Sequence, residues 1–505
     1  MKKYDVIVVG AGNAGLLTAA TVAAGGLSVL VLDRNSVPGG CATSFRRGRF
    51  EFEASLHELA NIGYEDNPGS VRLLFDKLGI DVSWHIEENA FRTVVTGEDC
   101  YDVTMPMGVE EFCLEMERNV PGSYDSVREV FELAKKGDAA LAYMSQGRPD
   151  PAVLMSEHID FLRLASHTAT EVFDALGMPK KAQEILSTYW SYLGTPCDQI
   201  DALLYTVMLS RYICGGPALP DKRSHEISLA IEKSIKDHGG EIRYNSYVSK
   251  IIVEEGKAVG VEVGGEKIYA DRIVSNVSPD LLYSRLIDAE SVPEKAVKLT
   301  NARRVGCRFF TVYLGLDCTA EELGIKDYST FIASTPDTRE QYRQLDDPDE
   351  SFVILNCLNC TIPDSSPEGT CTLFLTTMLS DEGWGEVKPH EYKRRKNKIA
   401  ERMISECEKQ LSLDIRSHIE EIVIATPATF ARYLNTPGGT PYGYELSLWD
   451  SMIARIMSGG KERFIDRLYL VGAHGERGDG YSSTFANGNS VGKKILKEAA
   501  SDGKM

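Results

Sequence analysis

The sequence predicts an α/β fold with two structural units, and three observations carry that expectation. A short apolar strand, a glycine-rich turn and a helical run open the chain and lead into a second apolar strand. Between 241 and 275 the chain returns to a strand-rich pattern of the same kind. Separate β-type runs at 303–318 and 352–380 suggest the sheet of a second unit. With 505 residues, about three times an ordinary domain, there is room for both.

The elements follow in order. A continuous apolar strand is expected over 5–9, then a helix over 14–24 in which Ala14, Leu17, Ala20, Thr21 and Ala24 recur at helical spacing, then a strand over 28–32 that stops at Asp33. This is a β-α-β unit. The uncharged run 6–32 is not a membrane span, because Gly10, Gly12, Gly15, Gly25 and Gly26 interrupt it and its period changes halfway. After Asp33 the alternation stops: Pro38-Gly39-Gly40 begins a loop, and an Arg-rich turn leads to Phe50-Glu51-Phe52-Glu53. A nicotinamide-dependent dehydrogenase would continue with further helix–strand repeats. From 109 to 215 the pattern is mainly helical, with amphipathic runs at 126–136, 157–176 and 181–193 and aromatics clustered between 189 and 212. Gly215-Gly216-Pro217 marks a turn, followed by a helix over 226–238 and the strands of 241–275. A helix over 392–411, a strand over 468–471, a glycine-rich turn and a helix over 488–499 close the chain.

Composition bounds the function. A net charge of −19 and a pI near 5.1 repel a phosphate backbone, so nucleic acid is excluded as a partner. The 11 cysteines are an odd number in a chain without a secretion signal, which points to a reducing cytoplasm rather than a disulfide framework.

The sequence Gly10-Ala11-Gly12-Asn13-Ala14-Gly15 has G-x-G-x-x-G spacing between strand and helix. Gly10 allows the tight turn, Gly12 lets a pyrophosphate approach the backbone, and Gly15 lets helix and strand pack closely. The anion then rests on helix amides. Asp33, ending the second strand, can accept hydrogen bonds from adenosine ribose hydroxyls and would repel a 2′-phosphate. Gly39-Gly40 gives a second close backbone approach, as expected where an extended FAD runs past its adenosine half. The stretch Leu468-Tyr-Leu-Val-Gly-Ala-His474, then Gly478-Asp479-Gly480 and a helix, offers another strand–turn–helix whose amides can face the ribityl chain or flavin ring.

Several of these segments together resemble a known family. Val-Ile-Val-Val-Gly-Ala-Gly-Asn-Ala-Gly-Leu at 6–16, Pro-Gly-Gly-Cys-Ala-Thr-Ser-Phe at 38–45, the segment 239–251, Ala-Asp-Arg-Ile-Val-Ser-Asn at 270–276 and the segment 472–492 are similar to phytoene desaturases, carotenoid isomerases and retinol saturases. The resemblance spans nearly the whole chain. It implies a Rossmann-type FAD-binding domain assembled from 1–95, 215–285 and 455–505, with an inserted α+β substrate domain, bearing a helical cap, from 96–214 and 286–454. It also implies redox chemistry, desaturation, saturation or isomerisation, at carbon–carbon bonds of an apolar, polyene or isoprenoid small molecule. By position, Gly10, Gly12, Ala14, Gly15, Asp33, Arg34, Gly39 and Gly40 match cofactor contacts. Val248 matches an adenine-side backbone contact, Gly472 and Asp479 match the flavin-side turn, and the segment 50–57 matches a stretch beside the ring. Two departures stand out. Asp33 occupies a position where these flavoproteins usually show Glu, and Arg477-Gly478-Asp479-Gly480 replaces the commoner Pro-Gly-x-Gly.

His57 and Asp479 are the candidates for proton transfer, His57 because an imidazole titrating near neutrality can exchange a proton beside a flavin. His474, Glu53, Glu58 and Glu476 compete for that role, the acids being solvated surface groups by default. Cys357-Leu-Asn-Cys360 reads as a pair of structural cysteines in a strand, on opposite faces. No metal site is expected. The aromatics at 189–192 and 205–212 are candidates for a tunnel wall or for core, and 436–443 is a rigid turn. An apolar substrate drawn from lipid predicts peripheral membrane contact by the helical region 156–212. Two rival readings remain at this stage, a flavin amine oxidase and a flavin-binding protein without turnover.

Overall fold

The computed structural model describes residues 3–97, 100–145, 150–458, 462–475, 478 and 480–503. Two seven-stranded sheets organise it. The first runs Val248–Glu254, Lys257–Val263, Glu266–Ser275, Lys3–Val9, Val29–Leu32, Glu241–Arg243, with Leu468–Leu470 attached to Glu266–Ser275. Lys3–Val9 pairs in parallel with Val29–Leu32 and with Glu266–Ser275, and these strands are buried on both faces, which is why they read as continuous apolar runs. Alternation still sorts their side chains: Val6, Val8, Val29 and Val31 pack toward helices, while Ile7, Val9, Leu30 and Leu32 pack with Val248, Ile251, Leu282 and Leu286.

The helix Asn13–Ala24 lies against this sheet between Arg223–Asp237 and Tyr481–Ser501. The sequence puts the final helix over 488–499. It begins seven residues earlier, because Gly488 and Gly492 are mid-helix contact points. A Cβ at Gly488 would stand 2.4 Å from the Ala14 carbonyl oxygen, and one at Gly492 would stand 2.7 Å from the Thr21 Cβ. The missing side chains let the two helices touch, and the Thr18 hydroxyl donates across the seam to the Gly488 carbonyl at 3.1 Å.

The second sheet runs Ile419–Ala425, Arg308–Leu316, Cys371–Leu379, Val353–Cys357, Ser329–Ala333, Asn89–Val95, Tyr101–Pro106. Asn89–Val95 pairs in parallel with Ser329–Ala333, so this strand sits in the second sheet although the expected boundary at 95 put it with the first. Period-2 alternation gives the sheet two faces. Phe310, Val312, Leu314, Leu355, Leu373 and Leu375 pack under the helix Pro389–Leu411 through Ile399, Met403 and Ile404. Phe309, Tyr313, Ile354, Phe374 and Met378 point the other way, toward the first sheet.

The Cys357–Cys360 expectation needs correction. The strand ends at Cys357 and a helical turn, Leu358–Thr361, follows, so the two thiols are not on opposite faces of one strand. Hydrogen bonding with Cys360 and Cys371 pushes the Cys357 thiol up, and all three cysteines are free. No helix among the described residues is long and apolar enough to cross a membrane.

Candidate functional site

A cavity of about 310 Å³ runs from the N-terminal glycine turn to the inward face of the second sheet. Gly10, Gly12, Ala14, Asp33, Arg34, Gly39, Gly40, Val248 and Gly472 all line it. Gly15 does not. A Cβ there would stand 2.2 Å from the Gly10 carbonyl oxygen, so its absence seats the helix on the strand behind the cavity wall. Asp479 and Glu476 lie outside the described residues.

The glycine end is a cradle built from backbone. Gly10 has φ +98° and Gly39 φ +114°, conformations closed to most side chains. The Gly39 N–H donates to the Ala11 carbonyl at 2.7 Å, which draws the second loop against the first. Asp33 accepts from the Ala11 N–H at 2.6 Å and from the Asn35 N–H at 2.7 Å. Burial raises its pKa, and these two amide bonds oppose the rise. A carboxylate has about four acceptor positions, so two remain for ribose hydroxyls. The helix at Asn13 begins with no side-chain cap and no acid in its first turn, and the buried Asn13 Oδ1 has no protein partner. Uncapped amides, glycines that admit close approach and a terminal acid fit the pyrophosphate and ribose of FAD.

Two residues of this end were not singled out as site residues from sequence. Asn276 follows Glu266–Ser275, and its side chain lies between the two turns: a Cβ at Gly12 would stand 2.5 Å from its Nδ2, and one at Gly472 would stand 2.6 Å from its Oδ1. The buried Asn487 accepts the Gly472 N–H on its Oδ1 at 3.1 Å. An asparagine after a strand or inside a helix carries no distinguishing pattern. Arg34 donates from Nη2 to the carbonyls of Arg432 and, at 3.0 Å, Tyr433, joining the cradle to the end of the helix Pro427–Leu434.

The far end of the cavity is apolar and aromatic. Phe309, Ile354, Thr376 and Met378 line it from the second sheet, on one face because Phe309 pairs with Met378 and Ile354 with Thr376. Tyr192, Tyr212 and Tyr442 complete the wall. The rings of Tyr192 and Tyr212 meet edge to face at 5.3 Å, and those of Phe309 and Tyr442 at 5.2 Å. The Tyr442 hydroxyl donates to the Ser191 carbonyl at 2.6 Å. The expected aromatic cluster therefore divides: Tyr192 and Tyr212 face the cavity, while Tyr189, Trp190 and Tyr205 are core. The turn 436–443 reaches the cavity through Thr436, Thr440, Pro441 and Tyr442.

The ionisable groups between the two ends behave differently from their sequence expectations. His57 lines the cavity, but burial brings its pKa down to about 4. Its ring lies edge-on to Tyr192 at 5.7 Å and to Phe374 at 5.5 Å, and its Nδ1 has no protein partner. The imidazole titrating near neutrality is thereby corrected to one that stays uncharged well below pH 7. His474 is similar, brought down to about 4 by burial, with its ring edge-on to Tyr444 at 4.8 Å.

Glu53 and Glu58 are not solvated surface acids. Glu53 is buried and fully engaged, accepting on Oε1 from the Ser224 hydroxyl at 2.6 Å and from the Ser55 and Leu56 N–H groups, and on Oε2 from the Ser224 N–H at 2.8 Å. It holds the turn before His57. Glu58 is buried too, lines the cavity, and accepts from the Tyr192 hydroxyl on Oε1 at 3.1 Å, while its Oε2 has no protein partner. Burial lifts its pKa to about 8.

The chain is 26% identical over 474 residues to the chloroplastic prolycopene isomerase of Daucus carota, covering 88% of this chain and 72% of that one. It is equally identical, over 474 residues, to the all-trans-retinol 13,14-reductase of Danio rerio, covering 87% and 77%. Among solved structures, an oxidoreductase from Methanosarcina mazei superposes with a TM-score of 0.63 at 17% identity over 97% of this chain and 99% of that one. Cyclohexylamine oxidase from Brevibacterium oxydans gives 0.64 at 16% over 99% and 100%. These two share the fold. Residues 13–474, nearly the whole chain and every described residue of the cavity from Asn13 to His474, match the flavin-containing amine oxidoreductases, and the protein belongs to that family.

Proposed function

We propose that this protein is an FAD-dependent oxidoreductase acting at a carbon–carbon double bond of an apolar, polyene or isoprenoid molecule. The observation that carries the reading is the continuity of the cavity, which joins the glycine cradle to an aromatic and aliphatic wall. The names of the sequence relatives, a carotenoid isomerase and a retinol reductase, point the same way. Bound in the cradle, FAD supplies two-electron chemistry. In this reading Gly10, Gly12, Ala14, Gly39 and Gly40 take the pyrophosphate, Asp33 takes the ribose, Val248 meets the adenine side, and Gly472 lies on the flavin side. Phe309, Ile354, Met378, Tyr192 and Tyr442 orient the substrate and keep water out.

The purified protein is expected to be yellow and to release FAD, not FMN, on denaturation. Mixed anaerobically with a panel of retinoids, carotenoids and primary amines, it should change flavin redox state with an apolar polyene only. Bleaching by amines alone would make it an amine oxidase. A flavin unmoved by the whole panel would favour a binding protein.

The finer reading of location is cytoplasmic with peripheral membrane contact. The helical region 156–212 divides: Ala202–Ile213 is buried along most of its length, while 156–181 lies mostly at the surface. Apolar side chains emerge at Ile159 within it, at Met155 just before it, and in the adjoining segment at Leu448, Trp449 (61% exposed) and Met457 (64% exposed). Ile453 packs that segment onto the same helical cluster. Wild-type protein should float with phosphatidylcholine vesicles, and Trp449→Ser with Met457→Ser should cut the floating fraction severalfold. A wild type that stays wholly in solution, with or without substrate, would end this reading.

A further inference from the structure

We infer that Glu58 is the proton carrier of this site, a carboxylic acid that exchanges its proton with a carbon of the bound substrate. The inference rests on the double-bond reading above and assigns a role that the sequence had offered to His57 and Asp479.

The geometry argues for it in three steps. First, Glu58 is the buried acid that lines the cavity next to the aromatic wall, adjacent in sequence to His57 and bonded through Oε1 to Tyr192, which also lines it. Second, Oε2 is buried with no protein partner. A buried acid oxygen without a partner is costly, and the cavity that Glu58 lines is where a bound molecule can supply one. Third, the groups around it keep it neutral. Tyr189 and Tyr192 face it from the turn Thr188–Tyr192 and Tyr328 from beside Ser329–Ala333, together with a second buried acid, Glu87. None of these is a cation. Glu87 is itself raised well above the usual carboxylate range, by burial and then by the charge of Glu58, and it accepts from the Thr361 hydroxyl at 2.7 Å. Ionising either acid disfavours ionising the other.

Glu53 shows the contrast. It is equally buried, but it does not line the cavity, and the four hydrogen bonds it accepts are all from the protein. Burial holds His57 neutral, so at neutral pH it lacks the imidazolium proton that a general acid gives up. In a saturation, the reduced cofactor that the cradle would hold would supply the hydride to one carbon of the double bond, and Glu58 gives the other carbon the proton as its O–H bond breaks and a C–H bond forms. The carboxylate left behind regains its proton from solvent before the next turnover.

Infrared difference spectra of the holoenzyme without substrate test the first half. At pH 7 the wild type should show a protonated-carboxyl carbonyl band that is missing in Glu58→Gln and that titrates away with a midpoint near 8. With substrate in deuterated water, Glu58→Gln should keep FAD and hold KM within about threefold, but slow flavin redox change and deuterium transfer to carbon by about 100-fold. A band absent from the wild type at pH 7, or a Glu58→Gln variant that turns over at the wild-type rate, overturns the assignment and leaves the double-bond reading standing. A band that titrates as expected while no polyene changes the flavin overturns the double-bond reading, and the proton-exchange role with it.

Discussion

Gly12→Val is expected to yield a folded, colourless protein. A Cβ at residue 12 would already stand 2.5 Å from the Asn276 Nδ2, and the two γ-methyls of valine would extend into the cavity that Gly12 lines. The φ of Gly12 is −78°, within reach of valine, so the backbone does not forbid the substitution. The lesion is therefore steric and local: it displaces the Asn276 amide and holds a pyrophosphate away from the amides at the start of Asn13–Ala24. Flavin affinity should fall by on the order of 100-fold or more, about 2.7 kcal/mol at the lower bound. Flavin content after gel filtration and titration of apoprotein with FAD measure it, and circular dichroism checks the fold. Retention of wild-type flavin affinity would place the pyrophosphate elsewhere. Asn276→Ala in the Gly12→Val background should recover part of the affinity, because it removes one of the two groups in collision.

Glu58→Gln should make the protein more stable at neutral pH even as it slows the reaction. The folded-state pKa near 8 lies above the 4.5 of a free glutamate, so between those values the unfolded chain has lost a proton that the folded chain still holds. The contribution of this group to stability is fully present below pH 4.5 and is lost as pH rises through 8. At pH 7 the wild type forgoes on the order of 3 kcal/mol by keeping the acid neutral, an amount that glutamine does not forgo. The gap between variant and wild type should therefore widen from pH 5 to pH 8, then level off. Urea midpoints of the apoproteins across that range measure it. A gap independent of pH would show that Glu58 ionises normally in the folded protein. A carboxyl kept neutral at such a cost is consistent with a trade of stability for function.

The sequence by itself determined the parts of this protein that depend on near neighbours along the chain. The strand Lys3–Val9, the helix Asn13–Ala24 and the turn between them follow from apolar periodicity and from glycines at positions that only they can occupy readily, such as Gly10 at φ +98°. The segments 6–16, 38–45 and 270–276 carried the family resemblance for the same reason, since a backbone cradle needs particular residues at particular spacing. Tertiary structure decided the rest. Asn89–Val95 belongs to the second sheet because Ser329–Ala333, far along the chain, offers it a parallel edge. Gly488 sits inside a helix because another helix presses on it. Asn276 lies between Gly12 and Gly472 because three separate segments end at one point. His57 and Glu58, neighbours in sequence, exchanged their expected protonation behaviour when distant elements closed over them, one imidazole falling to about 4 and one carboxyl rising to about 8. Spacing and conformational preference are written locally, whereas the removal of water from an ionisable group is the work of residues that meet it only after folding.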